Sequence, residues 1–148
     1  MKFQDIENAF MFVSMAPQFE NSAILSKVTG EIYYVSSIGD SDELPDDVED
    51  ADKYTEIPHK NDLDLGKALV LEFVSEHLPG DFQEVTRIFN RKGAYGRFKQ
   101  LIESKDLLDQ WYAYEERKQE TALREWCTAN GVEVTGEEGE KRGTLVNK

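Results

Sequence analysis

The chain has 148 residues with 30 acidic and 17 basic side chains, which gives a formal net charge of −13. This length suits one ordinary domain, and 39% hydrophobic residues are enough to build a core. So large a negative charge repels phosphate and disfavours general binding to nucleic acids or anionic membranes. One cysteine cannot form an internal disulfide, which predicts a cytoplasmic protein. The 32% of charged residues indicate a heavily solvated surface, so we predict a chain that is monomeric or weakly self-associating.

The sequence predicts neither a membrane span nor a secretory signal. No run approaches the roughly 20 apolar residues that cross a bilayer. The N-terminal stretch is partly apolar, but Asp5 and Glu7 stand where a signal peptide carries positive charge. We therefore expect no membrane association.

The first part of the chain predicts a helix followed by a small antiparallel sheet. Apolar residues at spacings of three and four predict a helix over 4–14, which Pro17 ends. Two β-rich runs separated by a turn with Gly30 predict a hairpin over 22–38. The run "KYTEIP" predicts a short third strand, since Pro58 cannot donate to a ladder.

An acidic segment separates the hairpin from the third strand. Residues 39–52, "GDSDELPDDVEDAD", contain eight carboxylates and no basic residue, so self-repulsion predicts a mobile loop. We call it the acidic loop. Carboxylate oxygens are ligands that Ca²⁺ prefers, but Leu44 replaces an EF-hand ligand and Pro45 stands where that motif requires glycine. We therefore predict no metal site.

From Asp62 the pattern is helical, with breaks, to about residue 130, and Gly131 is a suitable C-terminal stop for the last helix. Residues 131–148 are rich in glycine and charge, which predicts a mobile tail. The predicted fold is α+β: a small antiparallel sheet with an N-terminal hairpin, packed with a C-terminal helical layer. We predict a single domain over residues 1–130.

No set of residues predicts catalysis or a cofactor site. His59 lacks a partner nearby in sequence, and Cys127 lies on an apolar helix face, which favours a buried structural thiol. Trp111 and Tyr112 could stack on a ligand ring, but helical spacing makes Trp111 and either Tyr112 or Tyr114 core anchors first. We predict no catalytic residues and keep His59, Trp111 and Tyr112 as weaker ligand candidates.

The positive charge is concentrated in one segment. Residues 87–105 hold six basic side chains and one acidic one, around the sequence "GAYG". A GXXG loop lets a nucleic-acid backbone approach in KH modules, but those modules require strands where a long helix follows here. The other interpretation is a tight turn between helices, in which Gly93 and Gly96 supply backbone freedom while Tyr95 and Phe98 pack inward. Four basic side chains then stay in solvent: Arg91, Lys92, Arg97 and Lys99.

Four segments in order make the chain similar to Uncharacterised Protein Family 158 of bacteria: "YTEIPHK", "RKGAYGRFKQLIE", "LLDQWYAYEE" and "ALREWCTANGVE". The resemblance extends from the hairpin to about residue 134. This chain departs from the family pattern at Gly96, where a bulkier residue is usual. The family has no established activity, so the resemblance implies a shared fold but supplies no function and identifies no catalytic residues.

The leading hypothesis is a non-enzymatic binding or regulatory module, with a basic, aromatic surface around residues 91–99 that docks an anionic partner. The partner is an acidic protein segment or the chain's own acidic loop, in preference to nucleic acid, because a charge of −13 opposes phosphate. Nucleic-acid binding through the same surface is the first alternative. An enzyme whose site combines distant residues, such as His59 and loop carboxylates, is the second.

Overall fold

The computed structural model describes residues 1–135. They form two compact units: a sheet unit, residues 1–60 with 122–135, and a helical unit, residues 61–121. A single folding domain over residues 1–130 stays a prediction. Most of the predicted tail lies outside the described residues.

The sheet unit begins with helix α1 and contains three antiparallel strands in the spatial order β2-β1-β3. Together with five α-helices in the described chain, this sheet confirms the predicted α+β class. The bounds of these elements are α1, Phe3–Ser14; β1, Asn21–Ser26; β2, Ile32–Ser36; and β3, Tyr54–Glu56.

The predicted hairpin is formed by β1 and β2, with Leu25 opposite Ile32 at its closed end. Gly30 has φ +80°, and its amide donates to the carbonyl of Ser26 at 2.8 Å. A positive φ is accessible to glycine without steric cost, which is why the turn falls there. Local turn chemistry therefore fixes the register of this pair.

Helix α1 buries one apolar face, as its spacing predicts, and the buried residues are Phe3, Ile6, Ala9, Phe10 and Val13. Within the same unit, Ala23 and Leu25 of β1 are buried, as are Leu123 and Cys127. The amide of Val132 donates to the Cys127 carbonyl at 2.8 Å, so the chain stays attached beyond its last helix.

The acidic loop is tied to the sheet by its own carboxylates. The amide of Tyr34 donates to Asp42 Oδ2 at 2.8 Å, and the hydroxyl of Tyr54 donates to Asp47 Oδ1 at 2.9 Å. Hydrogen bonds from Tyr54 and then Lys53 lower the pKa of the Asp47 carboxyl. The mobility of the loop stays a prediction.

The helical unit contains three α-helices and the first part of a fourth, preceded or linked by short 3₁₀ turns at Lys60–Leu63 and Pro79–Asp81. The helices are α2, Lys67–His77; α3, Phe82–Ile88; α4, Ala94–Ser104; and α5, Leu108–Ala129. The last turns of α5 belong to the sheet unit. Gly131, with φ +69°, follows α5 as predicted.

One apolar cluster forms the core of the helical unit, and aromatic rings dominate it. Its buried members are Leu69, Val70, Phe73, Val74, Val85, Phe98, Ile102, Trp111 and Tyr114. Among the helices of residues 1–135, none combines the length and apolar character that crossing a membrane requires.

Candidate functional site

The basic segment predicted from sequence lies in the turn between α3 and α4 and on α4 itself. After α3 ends, the amides of Asn90 and Arg91 donate to the carbonyls of Arg87 and Ile88, each at 3.2 Å. Gly93 then adopts φ +75° and ψ +20°, and α4 begins at the next residue. The left-handed conformation of Gly93 is what joins the two helices at this point.

Gly96 does not belong to the turn. It lies in the first turn of α4, is exposed, and an added Cβ would meet no atom within 4 Å. The interpretation in which both glycines supply backbone freedom is therefore wrong for Gly96. The sequence "GAYG" is one turn residue followed by helix, so it does not form the GXXG loop of a KH module.

Aromatic packing holds this segment against the core of the helical unit. The buried ring of Phe98 meets Trp111 edge to face at 5.1 Å, and the Phe89 ring meets Tyr95 at 5.0 Å. Each such pair contributes about 0.5 to 1.5 kcal/mol beyond area burial. Burial and then Glu115 raise the pKa of the half-buried Tyr95 hydroxyl. Tyr95 and Phe98 pack inward, as the sequence predicts.

Four basic side chains of this segment point into solvent, and we call them the basic edge: Arg91, Lys92, Arg97 and Lys99. Within residues 1–135, no carboxylate lies within 4.0 Å of the charged group of Arg91, Lys92 or Arg97. Lys99 Nζ lies 5.5 Å from the ring centroid of Tyr112, a cation–π distance. The basic edge therefore presents cations that form no ion pair within the described residues.

The other two basic residues of the segment are paired with acids. Arg87 binds Glu84 at 2.8 Å on α3, and Lys105 Nζ lies 3.7 Å from Asp81. Exposed pairs of this kind add little stability, but they cancel local charge. Sequence counting gave six bases here, and the structure reduces the unpaired group to the four of the basic edge.

Trp111 and Tyr112, two of the weaker ligand candidates, have opposite environments. Trp111 is 1% exposed, and its indole Nε1 has no hydrogen-bond partner in the described part of the chain. Tyr112 is 45% exposed and is the ring beneath Lys99. Tyr114, not Tyr112, is the second core anchor, and its hydroxyl donates to Glu76 at 3.0 Å. Tyr112 thus belongs to the same surface as the basic edge.

His59, the third weaker candidate, lies in the sheet unit and is buried. Its Nε2 donates to the carbonyl of Ala16 at 2.9 Å, which ties the segment after β3 to the segment after α1. Cys127 is also buried, as predicted, and burial raises the pKa of its thiol. Across residues 1–135, no three His, Cys, Asp or Glu side chains converge in a way that could hold a metal ion.

The sheet unit contains a cleft of about 380 Å³ between the hairpin turn and residues 131–133. Polar groups of the turn already bond to one another there, as the Thr29 amide donates to Ser26 Oγ at 3.1 Å. Its side chains include Lys27 and Glu133 but no cysteine or histidine. The cleft therefore contains no serine–histidine or cysteine–histidine pair of the kind that acyl transfer uses.

Sequence reasoning missed the contact between Lys99 and Tyr112 because they lie on different helices, and no local spacing signals such a pair.

Comparison with known proteins adds a family but no activity. A family model described as "Uncharacterised protein family (UPF0158)" matches residues 6–146. Neither a curated protein nor a solved structure matches the chain. Because the match covers nearly the whole sequence, the chain belongs to the uncharacterised protein family UPF0158.

Proposed function

We propose that this chain is a non-enzymatic, cytoplasmic binding or regulatory module whose basic edge docks an anionic partner. The supporting observation is the contrast within one segment. Arg87 and Lys105 have carboxylate partners, whereas Arg91, Lys92 and Arg97 have none within the described residues. A cationic surface in a chain of net charge −13 is available to an external anion.

The chemistry of these side chains suits carboxylates. An arginine guanidinium offers a planar fork of donors that can bind a carboxylate through two parallel hydrogen bonds. Lys99 and Tyr112 add an ammonium group and an aromatic face beside it. Because Phe98 fixes α4 in the core, the backbone that carries these groups loses little freedom on binding.

The partner we favour is an acidic protein segment or the chain's own acidic loop. Duplex DNA carries one negative charge per about 1.7 Å of its axis. Its extended row of phosphates is therefore repelled by the net negative charge of the whole protein. A short acidic segment carries fewer charges and can be confined to the basic edge. The acidic loop contains eight carboxylates, of which those of Asp42 and Asp47 bind the sheet.

The test uses a fluorescent peptide with the sequence of the acidic loop and measures anisotropy at low and physiological salt. Arg97→Glu with Lys99→Glu should weaken binding at low salt at least about tenfold, since charged pairs are lost and replaced by repulsion. The control, Lys2→Glu with Lys67→Glu, changes the net charge equally at two exposed sites outside the basic edge. Equal loss in both variants would reduce the effect to net charge and overturn the proposal.

Duplex DNA and single-stranded RNA serve as competing probes in the same assay. If either binds more tightly than the acidic peptide at physiological salt, and only the Arg97 and Lys99 variant abolishes it, nucleic acid is the partner class. For duplex DNA, each lost phosphate contact should reduce the salt slope by about 0.9.

Self-docking has a separate test, because it needs no second molecule. Carbodiimide at low ionic strength should join carboxylates of residues 40–52 to Lys92 or Lys99 within one chain. Absence of such links would remove the acidic loop as the partner and leave a segment of another protein.

A further inference from the structure

The sheet unit exposes four large apolar side chains that neither its core nor the basic edge uses. Met11 is 60% exposed, Met15 76%, Phe19 92% and Ile38 94%. We call these four residues the apolar end. Single exposed apolar side chains are ordinary, but several in one region mark an interaction site.

The two methionines share one face of α1 and its last turn. They are four residues apart, and the amide of Met15 donates to the carbonyl of Met11 at 3.0 Å, so the helical path continues between them. Residues at this spacing are neighbours on a helix surface. They stand opposite the buried face that contains Ile6 and Val13.

Phe19 and Ile38 flank the open end of the hairpin. Asn21 pairs with Ser36 as the last pair of the hairpin, with Phe19 in the turn two residues before β1 and Ile38 in the bend two residues after β2. The side-chain amide of Asn21 donates to the carbonyl of Phe12 at 3.0 Å, which joins the start of β1 to the last turn of α1. All four apolar residues therefore lie in or next to the segments that meet at the junction of α1 and the hairpin.

Phe19 carries a second unfavourable feature. Its φ is +76°, a left-handed conformation that a bulky residue rarely adopts. Backbone strain of this kind persists where the surrounding structure demands it and is concentrated at binding and switch sites. In the free chain, exposing the Phe19 ring to water costs free energy. A partner that covers the ring removes this cost.

Negative charge surrounds the apolar end. Glu20 follows Phe19, Asp40 lies two residues after Ile38, and Asp42 is bound to Tyr34 of β2. Residues 1–60 contain 13 acidic and four basic side chains. A partner that covers the apolar end must therefore bring apolar surface and positive charge together.

We propose that the apolar end is the docking site for a cationic amphipathic helix of another protein. The apolar face of such a helix covers Phe19, Ile38 and the two methionines, whose flexible thioethers adapt to different partners. Its lysines and arginines face the surrounding carboxylates. The sheet unit of a second copy carries the same negative charge, and an anionic lipid surface is repelled, so both fit this site less well.

The probe is a helical peptide of about 18 residues, or five turns, built only from leucine and lysine at helical spacing. Its affinity is measured by anisotropy against the wild type and against Phe19→Ser with Ile38→Ser. The double variant should bind at least about tenfold more weakly, since central apolar anchors dominate such interfaces. Val28→Ser is the matched control, because Val28 is 74% exposed at the opposite, closed end of the hairpin.

Several results would overturn the proposal. They are an unchanged affinity in the double variant, an equal loss in the Val28 control, or equal binding of a leucine and glutamate peptide with the same pattern. Sedimentation that shows a dimer of the wild type, lost in the double variant, would assign the apolar end to a second copy instead. Circular dichroism checks that each variant remains folded, which is expected because all three positions are exposed.

Discussion

The basic edge and the apolar end are built in opposite ways. The basic edge rests on buried aromatic rings, and the single left-handed residue beside it, Gly93, is one that tolerates that conformation. The apolar end has a left-handed phenylalanine with its ring in solvent. One surface is stable without a partner, whereas the other carries strain and exposed apolar area in the free chain. Backbone strain and exposed apolar area, more than charge, distinguish the two surfaces.

The largest expected effect tests the support beneath the basic edge. Trp111→Ala should lower the free energy of unfolding by about 3 to 5 kcal/mol, because it removes a fully buried indole that packs against Phe73 and Phe98. Urea unfolding with an unchanged m-value measures it. A variant as stable as the wild type would show that Trp111 is not a core residue and that the basic edge lacks this support.

Trp111→Phe separates packing from hydrogen bonding. The indole Nε1 has no partner among the described residues, so phenylalanine loses volume but no hydrogen bond. Its destabilisation should be less than half that of the alanine variant. A cost equal to that of alanine would mean that the indole nitrogen has a bound partner, such as a buried water.

The hairpin, the buried face of α1 and the positive charge of residues 87–105 could all be predicted, because each depends on neighbours in sequence. Gly30 fixes a local turn, and apolar residues at spacings of three and four define a helix face. Charge can be counted without a fold. These features required no knowledge of tertiary contacts.

Features that depend on tertiary contacts could not be predicted. Lys99 of α4 contacts Tyr112 of α5, and Lys105, just after α4, pairs with Asp81 in the turn before α3, so counting charges could not tell paired cations from unpaired ones. Phe19 follows Pro17 outside any periodic run, and no pattern states whether an apolar residue there is buried. The apolar end was missed for this reason.

The next effect concerns the two glycines of "GAYG". Gly93→Ala should cost about 1 to 2 kcal/mol, since alanine is strained at φ +75° although nothing crowds the site. Gly96→Ala should instead raise stability by up to about 1 kcal/mol, because Gly96 lies in a helix with open space around it. Urea unfolding of both variants measures the difference in sign.

Gly93→Asn is the matched control, because asparagine tolerates the left-handed conformation better than alanine does. It should cost less than Gly93→Ala. If Gly96→Ala destabilised the chain as much as Gly93→Ala, both glycines would be turn residues and the basic edge would begin in a loop.

The smallest effect tests the strain at the apolar end. In Phe19→Gly, relief of a left-handed residue, about 1 to 2 kcal/mol, exceeds the entropic cost of glycine, about 0.5 to 1 kcal/mol. The free energy of unfolding should therefore rise slightly, while binding of the leucine and lysine peptide falls. Val28→Gly, at an exposed turn position without positive φ, should only lose about 0.5 to 1 kcal/mol. Paired thermal melts measure both. A loss in Phe19→Gly larger than that in Val28→Gly would show that the Phe19 ring stabilises the free fold, and the contrast between the apolar end and the basic edge would fail at its central residue.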